Sequence, residues 1–285
     1  KSGNLNMKNK DIFTFRDAEK QAGPVAFSTM LKPAGSACNL DCHYCYYLDK
    51  AVQYGGRQAV MSDELLELYV RQYIEANEVP TVQFCWHGGE PLLLGVDFYR
   101  KAMDFQQKYA DGKKIENILQ TNGTLVDEAW CDLFAGNNFL VGISLDGPQD
   151  IHDAFRLTKG GRPTFERVMR TIEMFQRSGV EYNTLSVVNR LCEGRGGEIY
   201  RFFRDTVHSR YMQFLPAVEH VVDKPGFHRP LIVSPDREGA RVAEWSVTAE
   251  GYGRFLCDVF DQWVVGDVGR YYVQMFDATL AQWCG

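Results

Sequence analysis

Cys38, Cys42 and Cys45 stand in the stretch Cys38-Asn39-Leu40-Asp41-Cys42-His43-Tyr44-Cys45, a C-x3-C-x2-C spacing just after the apolar run Val25 to Leu31. Thiolates are soft ligands that suit zinc and iron–sulfur clusters. A cubane cluster has four irons, so three thiolates leave one iron open to a further ligand. A closed structural zinc site wants a fourth ligand nearby. His43 is the candidate for that position, but it lies between two cysteines and would need a strained wrap. The spacing therefore favours a three-cysteine [4Fe–4S] site over zinc and over unrelated core cysteines.

Other residues able to do chemistry recur at the ends of apolar segments. Gly88-Gly89-Glu90-Pro91 follows one of them. Paired glycines let a ligand approach the backbone closely, and Glu90 brings a carboxylate suited to an ammonium group; a plain strand-to-helix turn is the alternative. His87 precedes this motif and shares its rim. Gln120-Thr121-Asn122-Gly123 supplies amides that reach a ligand or hold a turn. Ser144 lies just ahead of Asp146-Gly147-Pro148, where its hydroxyl suits a ribose or a carboxylate. Arg156 offers a guanidinium fork, the natural partner of a carboxylate, or a solvated loop charge. Val188-Asn189 and Phe214-Leu215 offer an apolar wall or ordinary core. Asp277 reads as a helix carboxylate rather than an acid–base group.

The elements that position these residues alternate. Residues 25–33 read as a first strand closed by a proline, and the cysteine loop follows. A polar connector with Gly55-Gly56 covers 49–61. Ser62 caps a helix with Leu65, Leu66, Tyr69, Val70, Tyr73 and Ile74 on its apolar face. Strands are expected over 82–86, 115–120, 139–145, 182–188 and 211–215. Helices are expected over 96–110, 127–136, 164–178 and 197–206. Six strands alternating with helices imply a parallel sheet with right-handed crossovers, and six units rather than eight imply an open, partial barrel. The strands read as apolar runs covered on both faces. The polar motifs fall at the strand C-terminal ends, the edge where α/β folds bind ligands.

The expected division is a tail over 1–23, an α/β partial (βα)6 barrel over 24–218, an extended insertion over 219–247 carrying Pro225, Pro230 and Pro235, and a helical extension over 248–285. The residues ahead of Met7 read as a remnant before a native start. The exit through Trp283-Cys284-Gly285 reads as a truncation.

The chain has 285 residues, 24% charged and 45% hydrophobic, with net charge −6. There is no basic stripe, which argues against nucleic acid. No apolar run approaches the ~18 residues of a membrane span. The eight cysteines are not spaced as a secreted disulfide framework, which points to a reducing compartment, hence the cytoplasm.

The cysteine spacing, with an aromatic before the last cysteine, resembles the radical S-adenosylmethionine (SAM) superfamily. The wider pattern is similar to the anaerobic sulfatase-maturating enzymes: Lys32-Pro33-Ala34-Gly35 through Cys45-Tyr46-Tyr47-Leu48, Trp86-His87-Gly88-Gly89-Glu90, Leu119-Gln120-Thr121-Asn122-Gly123 and Val141-Gly142-Ile143-Ser144-Leu145-Asp146-Gly147-Pro148. The resemblance covers about residues 24–283. It implies a [4Fe–4S] cluster on Cys38, Cys42 and Cys45 and SAM on its open iron. It implies SAM contacts from Tyr44, Gly88, Gly89, Glu90, Gln120, Asn122, Ser144, Arg156 and Leu215, with Tyr47 and His87 on the reacting side. The implied reaction is oxidation of a sulfatase cysteine or serine to Cα-formylglycine by a 5′-deoxyadenosyl radical, fed by a donor such as flavodoxin or ferredoxin. The family's proton acceptor, an aspartate beside a cysteine, belongs to a C-terminal domain holding two auxiliary [4Fe–4S] clusters. No residue here takes that role; Cys257-Asp258 lies ahead of the expected region. The alternatives are a maturase forming thioether or carbon–carbon links in another peptide, a non-catalytic iron–sulfur carrier, or a zinc module.

Overall fold

The computed structural model describes residues 16, 26–47, 50, 60–223 and 229–284. The expected tail (residue 16 apart) and most of the connector, Gly55-Gly56 included, lie outside these. Seven parallel strands form one sheet in the order β1-β2-β3-β4-β5-β6-β10. They are β1 (Met30–Leu31), β2 (Thr81–Trp86), β3 (Lys114–Thr121), β4 (Leu140–Ser144), β5 (Glu181–Val188), β6 (Tyr211–Pro216) and β10 (Tyr272–Val273). Helices α1 (Asp63–Ala76), α2 (Val96–Tyr109), α3 (Glu128–Gly136), α4 (Gln149–Phe155), α5 (Phe165–Ser178) and α6 (Gly196–Arg201) connect them. Helices α7 (Ala249–Trp263) and α8 (Gln274–Cys284) follow.

Local chemistry explains the helix ends. Ser62 Oγ accepts from Leu65 N to start α1, and Asp127 caps α3 through Trp130 N. Each helix lays one face on the sheet. Leu66, Val70, Tyr73 and Ile74 of α1 are buried, as are Val168, Thr171, Ile172 and Phe175 of α5. A fully buried apolar side chain stabilises by roughly 1.5–3 kcal/mol, so these rows hold the helices down. Leu65, expected on that face, is half exposed. It follows the cap residues at the edge of the helical stripe.

The strands alternate rather than run apolar throughout. Val82, Phe84 and Trp86 of β2 are buried under the helices, where Trp86 meets Tyr99 of α2 edge-on. The polar Asn117 on that face is satisfied by Trp86 Nε1 and by two bonds with Gln106. The other face is the inside of the open barrel, which the described residues leave partly open. Met30, Leu140, Tyr211 and Leu215 are each at least a third exposed there.

Four further differences from expectation have local causes. The first strand is confined to Met30–Leu31, because the chain pairs with β2 only at Cys85 and Trp86. Helix α4, hidden by its brevity, fills the turn after Asp146-Gly147-Pro148. The seventh strand, β10, lies within the stretch expected to be a helical extension, between α7 and α8. Val273 is buried and Tyr272 stacks on Tyr211 with ring centres 4.9 Å apart. The insertion is folded, not merely extended: β7 (His220–Val222) pairs antiparallel with β8 (Leu231–Val233) and β9 (Arg241–Val242).

Candidate active site

The cysteine loop is sewn to the barrel on two sides. At its front, Gly89 N donates to Gly35 O (2.9 Å) and Glu90 N to Ala37 O (2.7 Å). At its back it runs against the segment leaving α4. Leu40 bridges Thr158, Asp41 N donates to Leu157 O and His43 N to Phe155 O. Leu40, Cys42 and Tyr44 are buried in a second small core whose other wall is the folded insertion, through Val221, Ala243 and Trp245.

The three thiols stand close enough for each to influence the others electrostatically. Burial pushes the Cys38 thiol up to about 11 and the Cys42 thiol up to about 12, so iron must displace their protons on binding. Cys38 Sγ accepts from Leu40 N (3.4 Å) and from Asn122 Nδ2 (3.7 Å). Among the described residues no three His, Cys, Asp or Glu side chains close on a point as the ligands of one ion would. His43, the alternative zinc ligand, sets its ring edge-on to Phe155. Neighbouring thiols on one loop, with N–H groups aimed at a sulfur, fit a [4Fe–4S] cluster, which is larger than an ion and takes thiolates that stand apart.

The paired glycines let the cysteine loop come close. A Cβ on Gly89 would lie 2.0 Å from Ala37 O, and one on Gly88 2.9 Å from Gly35 O. Glu90 is fully buried and accepts from Leu92 N and Thr121 Oγ1 on one oxygen and from Asn122 N on the other. It ties the ends of β2 and β3 together behind the loop. Burial lifts its carboxyl from 4.5 to about 7, against the pull of those three donors. The native state therefore holds a proton that the unfolded chain releases between these values. The stabilisation is complete below about 4.5 and is lost as pH rises towards 7. In the cluster-free chain, wild-type stability is expected to fall by about 3 kcal/mol between pH 4.5 and 7.5 relative to Glu90→Gln. Urea unfolding at stepped pH measures this, and parallel profiles would contradict it.

Arg156 is not a solvated charge. It is buried, with Nε 3.0 Å from Asp146 Oδ1, off the line of a hydrogen bond, and its guanidinium lies over the Tyr44 ring at 5.5 Å. Asp146 is itself fully buried, accepting from Tyr44 Oη and from Val187 N. The Tyr44 side chain thus anchors the loop to β4 and β5. Sequence reasoning gave Asp146 no role. The signal was there in a carboxylate placed directly after the apolar run Val141–Leu145, but the following Gly-Pro made it read as a turn.

Gln120 and Ser144 are brought together, Nε2 donating to Oγ at 3.0 Å. Gln120 lies across Gly142, where a Cβ would meet Gln120 Oε1 at 2.0 Å and Asn183 Oδ1 at 3.0 Å. This makes a polar inner wall one strand-end step below the rim. His87 sits at the end of β2, its Nδ1 accepting from Gly88 N, and burial holds its pKa below the ordinary value. Tyr47 is drawn to Lys32, whose Nζ stands 4.1 Å from its ring centre. Leu215 borders a cleft of about 520 Å³ towards Met275 and Ala278 of α8. Asp277 has a buried, unpartnered Oδ2. Asn39, Thr124 and Trp245, none singled out from sequence, complete the surroundings of the loop.

Residues 33–192 match the family described as the radical SAM superfamily. The chain belongs to the radical SAM superfamily. Membership implies a [4Fe–4S] cluster and SAM as cofactors. Among curated radical SAM relatives, the chain is 46% identical to a serine-type anaerobic sulfatase-maturating enzyme of Bacteroides thetaiotaomicron, over 90% of this chain and 62% of the relative. It is 37% identical to a cysteine-type enzyme of Clostridium novyi, over 84% of this chain and 60% of the relative. The solved structure of native anSMEcpe with bound AdoMet and Cp18Cys peptide superposes with a TM-score of 0.74 at 33% identity, over 88% of this chain and 64% of that one. The chain thus spans less than two thirds of the length of these relatives.

Proposed function

We propose that this chain is the SAM-cleaving barrel of an anaerobic sulfatase-maturating enzyme, which oxidises a cysteine or serine side chain of a sulfatase to Cα-formylglycine. The observation that carries the reading is the loop of three neighbouring thiols pinned by Glu90, Asn122 and Asp146 to the C-terminal ends of β2 to β5. Similarity to both serine- and cysteine-type enzymes supports it. The proposed division is a barrel over 24–218, a cap over 219–247 and a helical extension over 248–285. An electron donor such as flavodoxin or ferredoxin and a cytoplasmic setting complete the reading. Among the described residues no helix is long and apolar enough to cross a membrane.

When bound, the cluster and SAM supply a 5′-deoxyadenosyl radical. The chain's own residues do the rest. Cys38, Cys42 and Cys45 hold the cluster. Gln120 and Ser144 present an amide and a hydroxyl on the inner wall where the polar parts of SAM would lie, and Leu215 gives an apolar edge at the rim. Tyr47 and His87 flank the same opening. The barrel would exclude water and hold the substrate side chain in place for that chemistry, the usual contribution of the protein in a cofactor enzyme.

The test is anaerobic reconstitution with iron and sulfide, then dithionite and SAM, with 5′-deoxyadenosine followed by chromatography. The chain is expected to form it, and the triple variant Cys38→Ala, Cys42→Ala, Cys45→Ala is expected to form none. A sulfatase peptide should raise the yield and lose two hydrogens at serine, or lose two hydrogens and exchange its sulfur for the oxygen of water at cysteine. A reconstituted full-length protein that makes no 5′-deoxyadenosine would overturn the reading.

A further inference from the structure

We propose that Asn122 is a redox-positioning residue: its side-chain amide donates to Cys38 Sγ and raises the reduction potential of the cluster held there. This rests on the cluster reading above but assigns Asn122 a role other than contact with SAM.

The orientation of the amide is fixed by its neighbours. Asn122 is buried. Its Oδ1 accepts from Thr124 N (2.9 Å) and Thr124 Oγ1 (2.7 Å). Its Nδ2 donates to Asn39 Oδ1 (2.8 Å) and points at Cys38 Sγ (3.7 Å). Turning the amide over would set Nδ2 against the Thr124 N–H and Oδ1 against Asn39 Oδ1, losing the bonds to both and keeping only the one to the Thr124 hydroxyl. Asn39 Nδ2 in turn donates to Thr124 Oγ1 (2.8 Å), which closes a ring of three side chains. The Asn122 backbone is held as well, its N–H given to Glu90 Oε2 (2.8 Å). Glu90 is locked to the loop by its own backbone bond to Ala37 O (2.7 Å). The donor is therefore braced from β2, from β3 and from the loop it serves.

A second donor, Leu40 N, reaches the same sulfur at 3.4 Å. Reduction adds negative charge that spreads onto the thiolates, so an N–H dipole aimed at sulfur favours the reduced state. Hydrogen bonds to the sulfurs are among the levers that set cluster potentials. Leu40 N belongs to the backbone and comes with the loop. Asn122 is the side-chain donor, so it is the point at which sequence adjusts the potential of this site.

The experiment is an EPR-monitored redox titration, without SAM, of the reconstituted full chain beside Asn122→Ala and Asn122→Asp. Iron and sulfide content is measured on each sample. At one ambient potential, Asn122→Ala is expected to hold roughly tenfold less reduced relative to oxidised cluster, about 59 mV for a one-electron couple. Asn122→Asp keeps the shape but puts an oxygen in place of the donor, so its potential should lie lower still. Equal midpoints at equal iron content would overturn the proposal. So would unchanged midpoints with weakened SAM binding, which would return Asn122 to the role of a SAM contact. If neither variant assembles a cluster, wild-type chain carrying 15N in its asparagine side chains decides. Pulsed EPR of the reduced cluster should show a weak nitrogen coupling, and its absence would overturn the proposal. A wild-type chain that binds no cluster would instead defeat the cluster reading, and this inference with it.

Discussion

Gly89→Ala is expected to destabilise the cluster-free chain by about 3–5 kcal/mol and to prevent cluster assembly. The added methyl would lie 2.0 Å from Ala37 O, 2.6 Å from Ala37 C and 2.7 Å from Ser36 C. All three are backbone atoms, so no side chain can swing aside. The segment 35–37 must retreat by more than an ångström, which breaks the backbone bonds from Gly89 and Glu90 to the loop. Overpacking costs typically 1–3 kcal/mol, and two lost hydrogen bonds add roughly 1 kcal/mol each. Because the displaced segment leads directly into Cys38, the thiols lose their common placement. Urea unfolding and bound iron after reconstitution measure the two effects. Gly136→Ala, at a helical position with nothing within 4 Å of the new Cβ, is the matched control and should be neutral or slightly stabilising. Wild-type iron content and stability in Gly89→Ala would show that the front of the loop does not depend on this contact.

Asp146→Ala is expected to cost about 3–5 kcal/mol, the usual penalty for removing one partner of a buried ion pair. It strands the Arg156 charge, whose side chain is only 10% exposed, and leaves Tyr44 Oη and Val187 N without their acceptor. The double variant Asp146→Ala, Arg156→Leu should be more stable than Asp146→Ala alone, since the stranded charge goes with the arginine. A double variant that simply sums the two single losses would show that the pair is not coupled. Arg156 is also the leading charge acting to lower the Cys42 thiol. Iron uptake by Asp146→Ala should therefore be measured with its stability, because the same change frees Tyr44 from β4.

The cysteine spacing and the βα rhythm were legible because each is local. Three soft ligands within eight residues, and periodic burial within single helices, need no tertiary context. What sequence could not show was which backbone would fill the Gly88-Gly89 notch, since a ligand and a neighbouring loop place the same demand on a glycine. Glu90 and Arg156 were read as charges offered to SAM, and sequence could not show that each also has partners inside the protein. A carboxylate in sequence looks the same whether it faces a cavity or three N–H and O–H donors. Short elements also escaped: α4 and β10 are too brief for periodicity to register, and the insertion's strands are only two or three residues long. The partly open inner face was concealed for another reason. Met30, Leu140, Tyr211 and Leu215 are apolar like any core residue, and only an unclosed sheet leaves them wet.

The sheet is laid down almost in the order in which the chain is made. From β1 to β6 each strand lies beside its predecessor, so a nascent chain leaving the ribosome can add units one after another. The cysteine loop emerges first, but its anchors come later: Asn122 with the third strand, Asp146 after the fourth. At 5–20 residues per second, the roughly 100 residues between Cys45 and Asp146 take about 5–20 s to synthesise. During that interval the three thiols are free of the packing that later buries them, open to dioxygen and to any thiophilic metal at hand. The packing that sets the three sulfurs in place is therefore complete only once translation has passed Asp146.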